Sequence, residues 1–92
     1  MNHSGVSYAL RIKPSAAKEL EAIDAAPIRR KIVEVIQSLA SEPRPAQCTK
    51  LAGREAAYRL RVGDYRIVYT VNDREIVVEI IKIGHRRDVY RR

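Results

Sequence analysis

Arginines are placed in the second half of this chain as a phosphate site would need them. Arg59 and Arg61 are two positions apart, and Arg66 follows shortly after a Gly63-Asp64 pair. A Gly-Asp link between two alternating runs predicts a tight β-hairpin. Its register sets Val62 opposite Tyr65, Arg61 opposite Arg66, Leu60 opposite Ile67 and Tyr58 opposite Tyr69. Side chains alternate between the faces of a strand, so the apolar residues meet on one face and Arg59, Arg61 and Arg66 gather on the other. Like charges directly across a strand pair are destabilising. One account is a solvated face, with Glu79 on the next strand as counter-charge. The other is an anion site, because the planar guanidinium fork grips phosphate oxygens two at a time.

The end of the chain, Gly84-His85-Arg86-Arg87-Asp88-Val89-Tyr90-Arg91-Arg92, adds further chemistry. Strict alternation along the last apolar run carries His85 and Arg86 to the strand exit, with Tyr90 behind. Histidine is the side-chain type suited to proton transfer near neutral pH, which makes His85 a candidate acid or base. Taken singly, His85 also reads as a surface histidine and Tyr90 as a small apolar plug. Lys50, Arg59 and Arg87 are candidate contacts to a polyanion. His3 and His85 are the only histidines, so no zinc set is expected. No Gly-rich phosphate loop and no Ser-His-Asp or Cys-His arrangement is apparent. No cofactor is expected, and the chemistry within reach is a metal-free reaction on a polyanion.

The elements that must position these residues are readable from periodicity. Tyr8, Leu10 and Ile12 alternate with polar or small residues, which predicts a half-buried strand ended by Pro14. Ser15 suits the N-cap of a short helix carrying Ala16, Leu20 and Ile23 and stopping near Asp24. Pro27 suits the first turn of a second helix, whose apolar stripe is Ile28, Ile32, Val35, Ile36 and Leu39. Pro43 and Pro45 break that helix, and Ser41 to Gly53 reads as a loop. Two alternating runs, Tyr58 to Val62 and Tyr65 to Val71, precede a turn at Asn72, Asp73 and Arg74. A β-branched run from Ile76 to Ile83 follows. The expected fold is α+β in the order strand, helix, helix, strand, strand, strand. An antiparallel three-stranded meander joins the N-terminal strand, and a helical hairpin covers one sheet face.

Composition narrows the class. The 92 residues suit one domain, 1–92, with a small core. Tryptophan and phenylalanine are absent, so aliphatic residues and the five tyrosines must fill that core. A net charge of +7 on so small a surface attracts nucleic acid first and an acidic protein second. Cys48 is the only cysteine, which suits a reducing compartment. The opening Met1 to Ser7 lacks the apolar stretch of a signal peptide, and no run approaches the ~20 residues of a membrane span. A cytoplasmic protein with no membrane partner is expected.

The segment KLAGREAAYRLRVGDYRIVYTVNDREIVVEIIKIGHRRDVYRR, from Lys50 to the end, resembles the RelE branch of the RelE/ParE toxin superfamily. Its YRLRVGDYRIVY hairpin and IGHRRDVY tail carry most of the likeness. The early KPSAAKELEAI segment is similar to the family's first helix. The resemblance implies the toxin of a type II toxin–antitoxin pair, an endoribonuclease that cleaves mRNA in the ribosomal A site. A ribose 2′-hydroxyl would attack the adjacent phosphate and leave a 2′,3′-cyclic end, which inhibits translation. It also implies an acidic, RelB-like antitoxin in a hetero-oligomer. On the family pattern the strand arginines fall on Arg59, Arg61 and Arg66, the arginine after Ile-Gly on Arg86, and the C-terminal tyrosine on Tyr90. Some members carry lysine at the positions of Arg59 and Arg61. Arginine stays protonated and is a poor base, which leaves His85, Tyr90 or Glu79 for proton transfer. Two other readings share the fold: a ParE-like inhibitor of DNA gyrase, and a catalytically degenerate toxin that keeps its antitoxin.

Overall fold

The computed structural model describes residues 7–53 and 56–85. The chain runs β1 (Ala9–Ile12), α1 (Pro14–Glu21), α2 (Ala26–Ser38), β2 (Thr49–Lys50), β3 (Ala57–Val62), β4 (Tyr65–Asn72) and β5 (Val77–His85). The five strands form one mixed sheet in the order β1-β5-β4-β3-β2. The pairs β2–β3, β3–β4 and β4–β5 are antiparallel, and β1 lies parallel to β5. The α+β class, the meander and the helices on one face agree with the pattern of the sequence.

Three local details differ from the periodicity. Helix α1 begins at Pro14 with Lys13 as its N-cap residue, so Ser15 lies inside the first turn and does not cap it. Proline is pre-set for that position, and its missing N–H has no partner to lose there. Thr49 and Lys50 leave the expected loop to pair with Arg59 and Tyr58 as β2. Strand β1 is exposed along its whole length, with Leu10 at 36% and Ile12 at 39%. Among the described residues it is an edge strand, with no further strand on its outer side.

The core lies between the helices and the inner sheet face. Ile32, Ile36 and Leu39 of the α2 stripe meet Leu60, Val62, Ile67, Tyr69, Val71, Val78, Ile80 and Ile83. Helix α1 packs chiefly on β5, and α2 touches β3. Gly63 carries the positive φ of 59° that the two-residue hairpin needs, and a Cβ there would stand 3.1 Å from Ile28 Cδ1. Helix α2 therefore presses on the turn that sets the hairpin register.

Beyond Ile80, β5 loses β1 as a neighbour. Glu19 of α1 takes over part of that edge. Its Oε1 accepts the Ile83 backbone N–H at 2.8 Å, and its Oε2 pairs with Lys82 Nζ at 2.8 Å. A carboxylate here satisfies a strand donor that would otherwise face a helix.

Candidate functional site

The hairpin register is the one the sequence predicts: Val62 opposite Tyr65, Arg61 opposite Arg66, Leu60 opposite Ile67 and Tyr58 opposite Tyr69. It places three guanidiniums at one polar cavity of about 300 Å³, lined by Gln47, Thr49, Arg59, Arg61 and Arg66. Arg66 is only 5% exposed, Arg59 is half-buried and Arg61 is exposed. The cations therefore range from the sheet surface to solvent, and no carboxylate is among the described lining residues. Glu79 does not neutralise them. It stands opposite Thr70, four residues along β4 from Arg66 and so about 13 Å away at the usual strand rise, and next to Arg11 of β1. A cavity where three guanidiniums gather favours an anionic ligand, and phosphate matches guanidinium geometry.

His85 does not join this cavity. It pairs with Tyr65 on the helix-covered face, where the two rings meet edge to face at 5.5 Å. The cause is a β-bulge. Val68 pairs with Lys82 but Tyr69 pairs with Ile80, so Ile81 has no partner on β4. One extra residue reverses the alternation beyond it. Ile83 turns into the core, Gly84 faces the arginines' side and His85 turns away. His85 instead lines a second cavity of about 410 Å³ with Glu19, Ile23 and Tyr65.

Lys50 is also placed elsewhere. It pairs with Tyr58, on the face opposite Arg59, and the residue beside Arg59 is Thr49. Arg86, Arg87 and Tyr90 lie outside the described residues. Gln47 and Thr49 are the lining residues that periodicity misses. A two-residue strand is too short to show alternation, and Pro43 and Pro45 mark the region as a loop.

That loop is held firmly. The buried Tyr69 hydroxyl donates to the Pro43 carbonyl at 2.8 Å. Burial, with Cys48 alongside, pushes the Tyr69 phenol well above its ordinary value, so it remains a donor. Arg44 donates from Nε to Tyr58 Oη and from Nη2 to Asp73 Oδ2, each at 2.8 Å. Tyr8 Oη donates to Asp73 Oδ1 at 2.7 Å. The Arg44 guanidinium, with the Tyr8 hydroxyl, holds the Asp73 carboxyl below the usual carboxylate range. Cys48 N donates to Pro45 O at 3.0 Å, closing a turn around Ala46 and Gln47. Loop 41–48 thus enters β2 with its course fixed at both ends. Among the described residues no cluster of three or more His, Cys, Asp or Glu is arranged to hold a metal, and no helix is long and apolar enough to cross a membrane.

Comparison with known proteins finds the chain similar to toxins. The family model described as the ParE toxin of type II toxin–antitoxin systems matches residues 10–90. Toxin RelG of Mycobacterium tuberculosis is 29% identical over 87 residues, covering 92% of this chain and 98% of that protein. The mRNA interferase toxin RelE of Escherichia coli is 39% identical over 61 residues, covering 64% of this chain and 59% of that protein. Among solved structures, the archaeal RelE–RelB complex of Pyrococcus horikoshii matches with a TM-score of 0.77 and 32% identity, over 88% of this chain and 97% of that one. The isolated E. coli RelE toxin matches with a TM-score of 0.75 and 27% identity, over 86% of this chain and 84% of that one.

Proposed function

Since the chain belongs to the RelE/ParE superfamily of type II toxins, we propose that it is a ribosome-dependent endoribonuclease that cleaves mRNA in the A site. The observation that carries this reading is the gathering of Arg59, Arg61 and Arg66 at one polar cavity, with Arg61 and Arg66 held opposite each other in the hairpin. A fold needs no such pairing, and an RNA phosphate gives it a purpose.

In the reaction the 2′-oxygen attacks the adjacent phosphorus and its proton departs. The P–O5′ bond breaks, the 5′-oxygen takes up a proton, and a 2′,3′-cyclic phosphate remains. Charge builds on the non-bridging oxygens at the phosphorane stage. Arg61 and Arg66 stabilise it, and Arg86 joins them on the family pattern. Preorganised donors aimed at developing charge are commonly the largest catalytic contribution. Alignment of the 2′-hydroxyl comes from the ribosome and from stacking on the substrate. Tyr90 is assigned to orient the 2′-hydroxyl or share its proton. His85 receives no proton transfer in this scheme, because it lies on the other face of β5. Lys50 and Arg87 are assigned as further RNA contacts. A ribosomal target places the protein in the cytoplasm.

The partner is an acidic antitoxin. RelE–RelB complexes are among the structural neighbours. The exposed apolar Leu10 and Ile12 border a shallow groove with Leu20, Val33 and Ile36, next to Arg11. Apolar surface with basic neighbours suits an acidic segment that folds as it binds.

The test is to add antitoxin-free protein to ribosomes stalled on a defined mRNA and map new RNA ends by primer extension. Ends within the A-site codon are expected. Arg61→Ala and Arg66→Ala should each slow cleavage about a hundredfold or more. Full cleavage by Arg61→Ala would sink the assignment. The matched model, described as a ParE toxin, favours one second reading, inhibition of DNA gyrase. Folded protein that leaves mRNA intact but blocks gyrase supercoiling would establish that reading instead.

A further inference from the structure

Among its described lining residues the arginine cavity has two neutral ones, which could donate to a phosphate but which its charge does not require. Gln47 and Thr49 stand beside Arg59, Arg61 and Arg66. A volume of about 300 Å³ lies at the lower end of the range for ligand pockets, which suits one nucleotide better than a stretch of chain. The guanidiniums account for its phosphate. We propose that Gln47 reads the base of that nucleotide and selects adenine. This rests on the nuclease reading and adds a sequence preference to it.

Two observations support Gln47. The first is position. Thr49 is fixed opposite Arg59 by the β2–β3 register, and Gln47 precedes it in the turn closed by Cys48 N and Pro45 O at 3.0 Å. The loop that brings Gln47 there is pinned by Tyr69 to Pro43 O and by Arg44 to Tyr58 and Asp73. A base-reading group needs a backbone that does not wander, because misplacement forfeits a two-point contact. The second is availability. Gln47 is exposed, and its carboxamide makes no hydrogen bond with any described residue.

The choice of base follows from donor and acceptor order. A carboxamide carries a donor and an acceptor side by side. The Hoogsteen edge of adenine presents N7 as acceptor and the N6 amino group as donor, which matches both atoms at once. The same edge of guanine presents two acceptors, N7 and O6, and suits arginine. Unpaired bases in single-stranded RNA expose this edge to protein side chains. Thr49, with one hydroxyl, donates or accepts singly and adds no discrimination between adenine and guanine.

The experiment uses ribosomes stalled with an A-site codon varied to every nucleotide at each position. Cleavage rates are compared for wild-type protein, Gln47→Ala, Gln47→Arg and Arg61→Ala, with thermal melts to show that each is folded. Wild type is expected to prefer adenine over guanine by about tenfold or more at one position, the usual worth of a two-point base contact. Gln47→Ala should flatten the preference there, and Gln47→Arg should turn it toward guanine. If Gln47→Ala and Gln47→Arg slow all codons equally and keep the wild-type profile, base reading by Gln47 is overturned. Wild type with no adenine preference at any position overturns it as well. In both cases loss of cleavage in Arg61→Ala leaves the nuclease reading standing. Folded wild type that cuts no codon removes both.

Discussion

Single side chains decide whether the arginine cavity is a site or merely a charged surface, and Tyr69 acts on it from a distance. Its hydroxyl is buried and holds the Pro43 carbonyl, while its ring stacks on Tyr58 at 5.8 Å. Tyr69→Phe keeps the packing but leaves the buried carbonyl without this donor. The expected cost is about 1–2 kcal/mol, read as a lower urea midpoint at unchanged slope. Cleavage should fall with it, because loop 41–48 carries Gln47 and leads to Thr49. Asp73 gives a pH signature. Its folded-state pKa is lowered by Arg44 and then Tyr8, so the stability it adds is present above the unfolded value near 3.9 and is lost as pH falls through the folded value. The side chain is 60% exposed, so solvent screening keeps this below about 1 kcal/mol. Asp73→Asn should destabilise slightly at neutral pH and match wild type at the acid end. Melting curves from neutrality down to about pH 2.5 would show the two converging, and a constant gap would mean that the carboxylate charge is not the cause.

At the scale of elements, the turn between β4 and β5 holds the clearest local conflict. Ile76 adopts φ 59° and is 41% exposed. A β-branched residue in the left-handed region is strained by roughly 1–2 kcal/mol. Asparagine tolerates that conformation, and little apolar burial would be lost. Ile76→Asn is therefore expected to raise stability by about 1 kcal/mol, a shift of roughly 4–8 °C in Tm for a domain of this size. A lower Tm would mean that Ile76 makes a contact worth more than its strain. The same strand shows where sequence periodicity stops. The Gly63-Asp64 hairpin was legible to the residue, because turn chemistry and alternation on both sides specify one register. The α2 stripe was legible because Ile32, Ile36 and Leu39 recur at helical spacing. The bulge at Ile81 was not, since Ile80, Ile81 and Ile83 are alike in side chain and nothing local marks which lacks a partner. That one residue moves His85 from the expected site to the other face. Strand β2 was hidden by its two-residue length, and with it the lining role of Thr49. Half of the candidate site was thus written in the alternating arginines, and the rest depended on pairing that only the folded sheet supplies.

On the scale of the whole molecule, two sources of positive charge compete to explain RNA binding. The surface as a whole carries a net +7, whereas the cavity concentrates Arg59, Arg61 and Arg66. Salt separates them, because each phosphate neutralised releases counterions and contributes about −0.7 to the slope of log K against log salt for a single strand. If the cavity cations alone engage, the slope for a short single-stranded RNA should be about −2. Arg61→Gln should then reduce its magnitude by about 0.7 while lowering affinity. If the diffuse field dominates, the slope should be steeper and almost indifferent to Arg61. Fluorescence anisotropy titrations between about 50 and 200 mM salt cover the range where these differ by orders of magnitude in affinity. A slope near −2 that responds to Arg61 would mean that the hairpin register, set by Gly63 and braced by Ile28, is what turns a generally basic protein into one with a defined phosphate site. A steep slope that ignores Arg61 would leave the cross-strand arginine pair without a role in RNA binding, and the nuclease proposal would lose its main structural support.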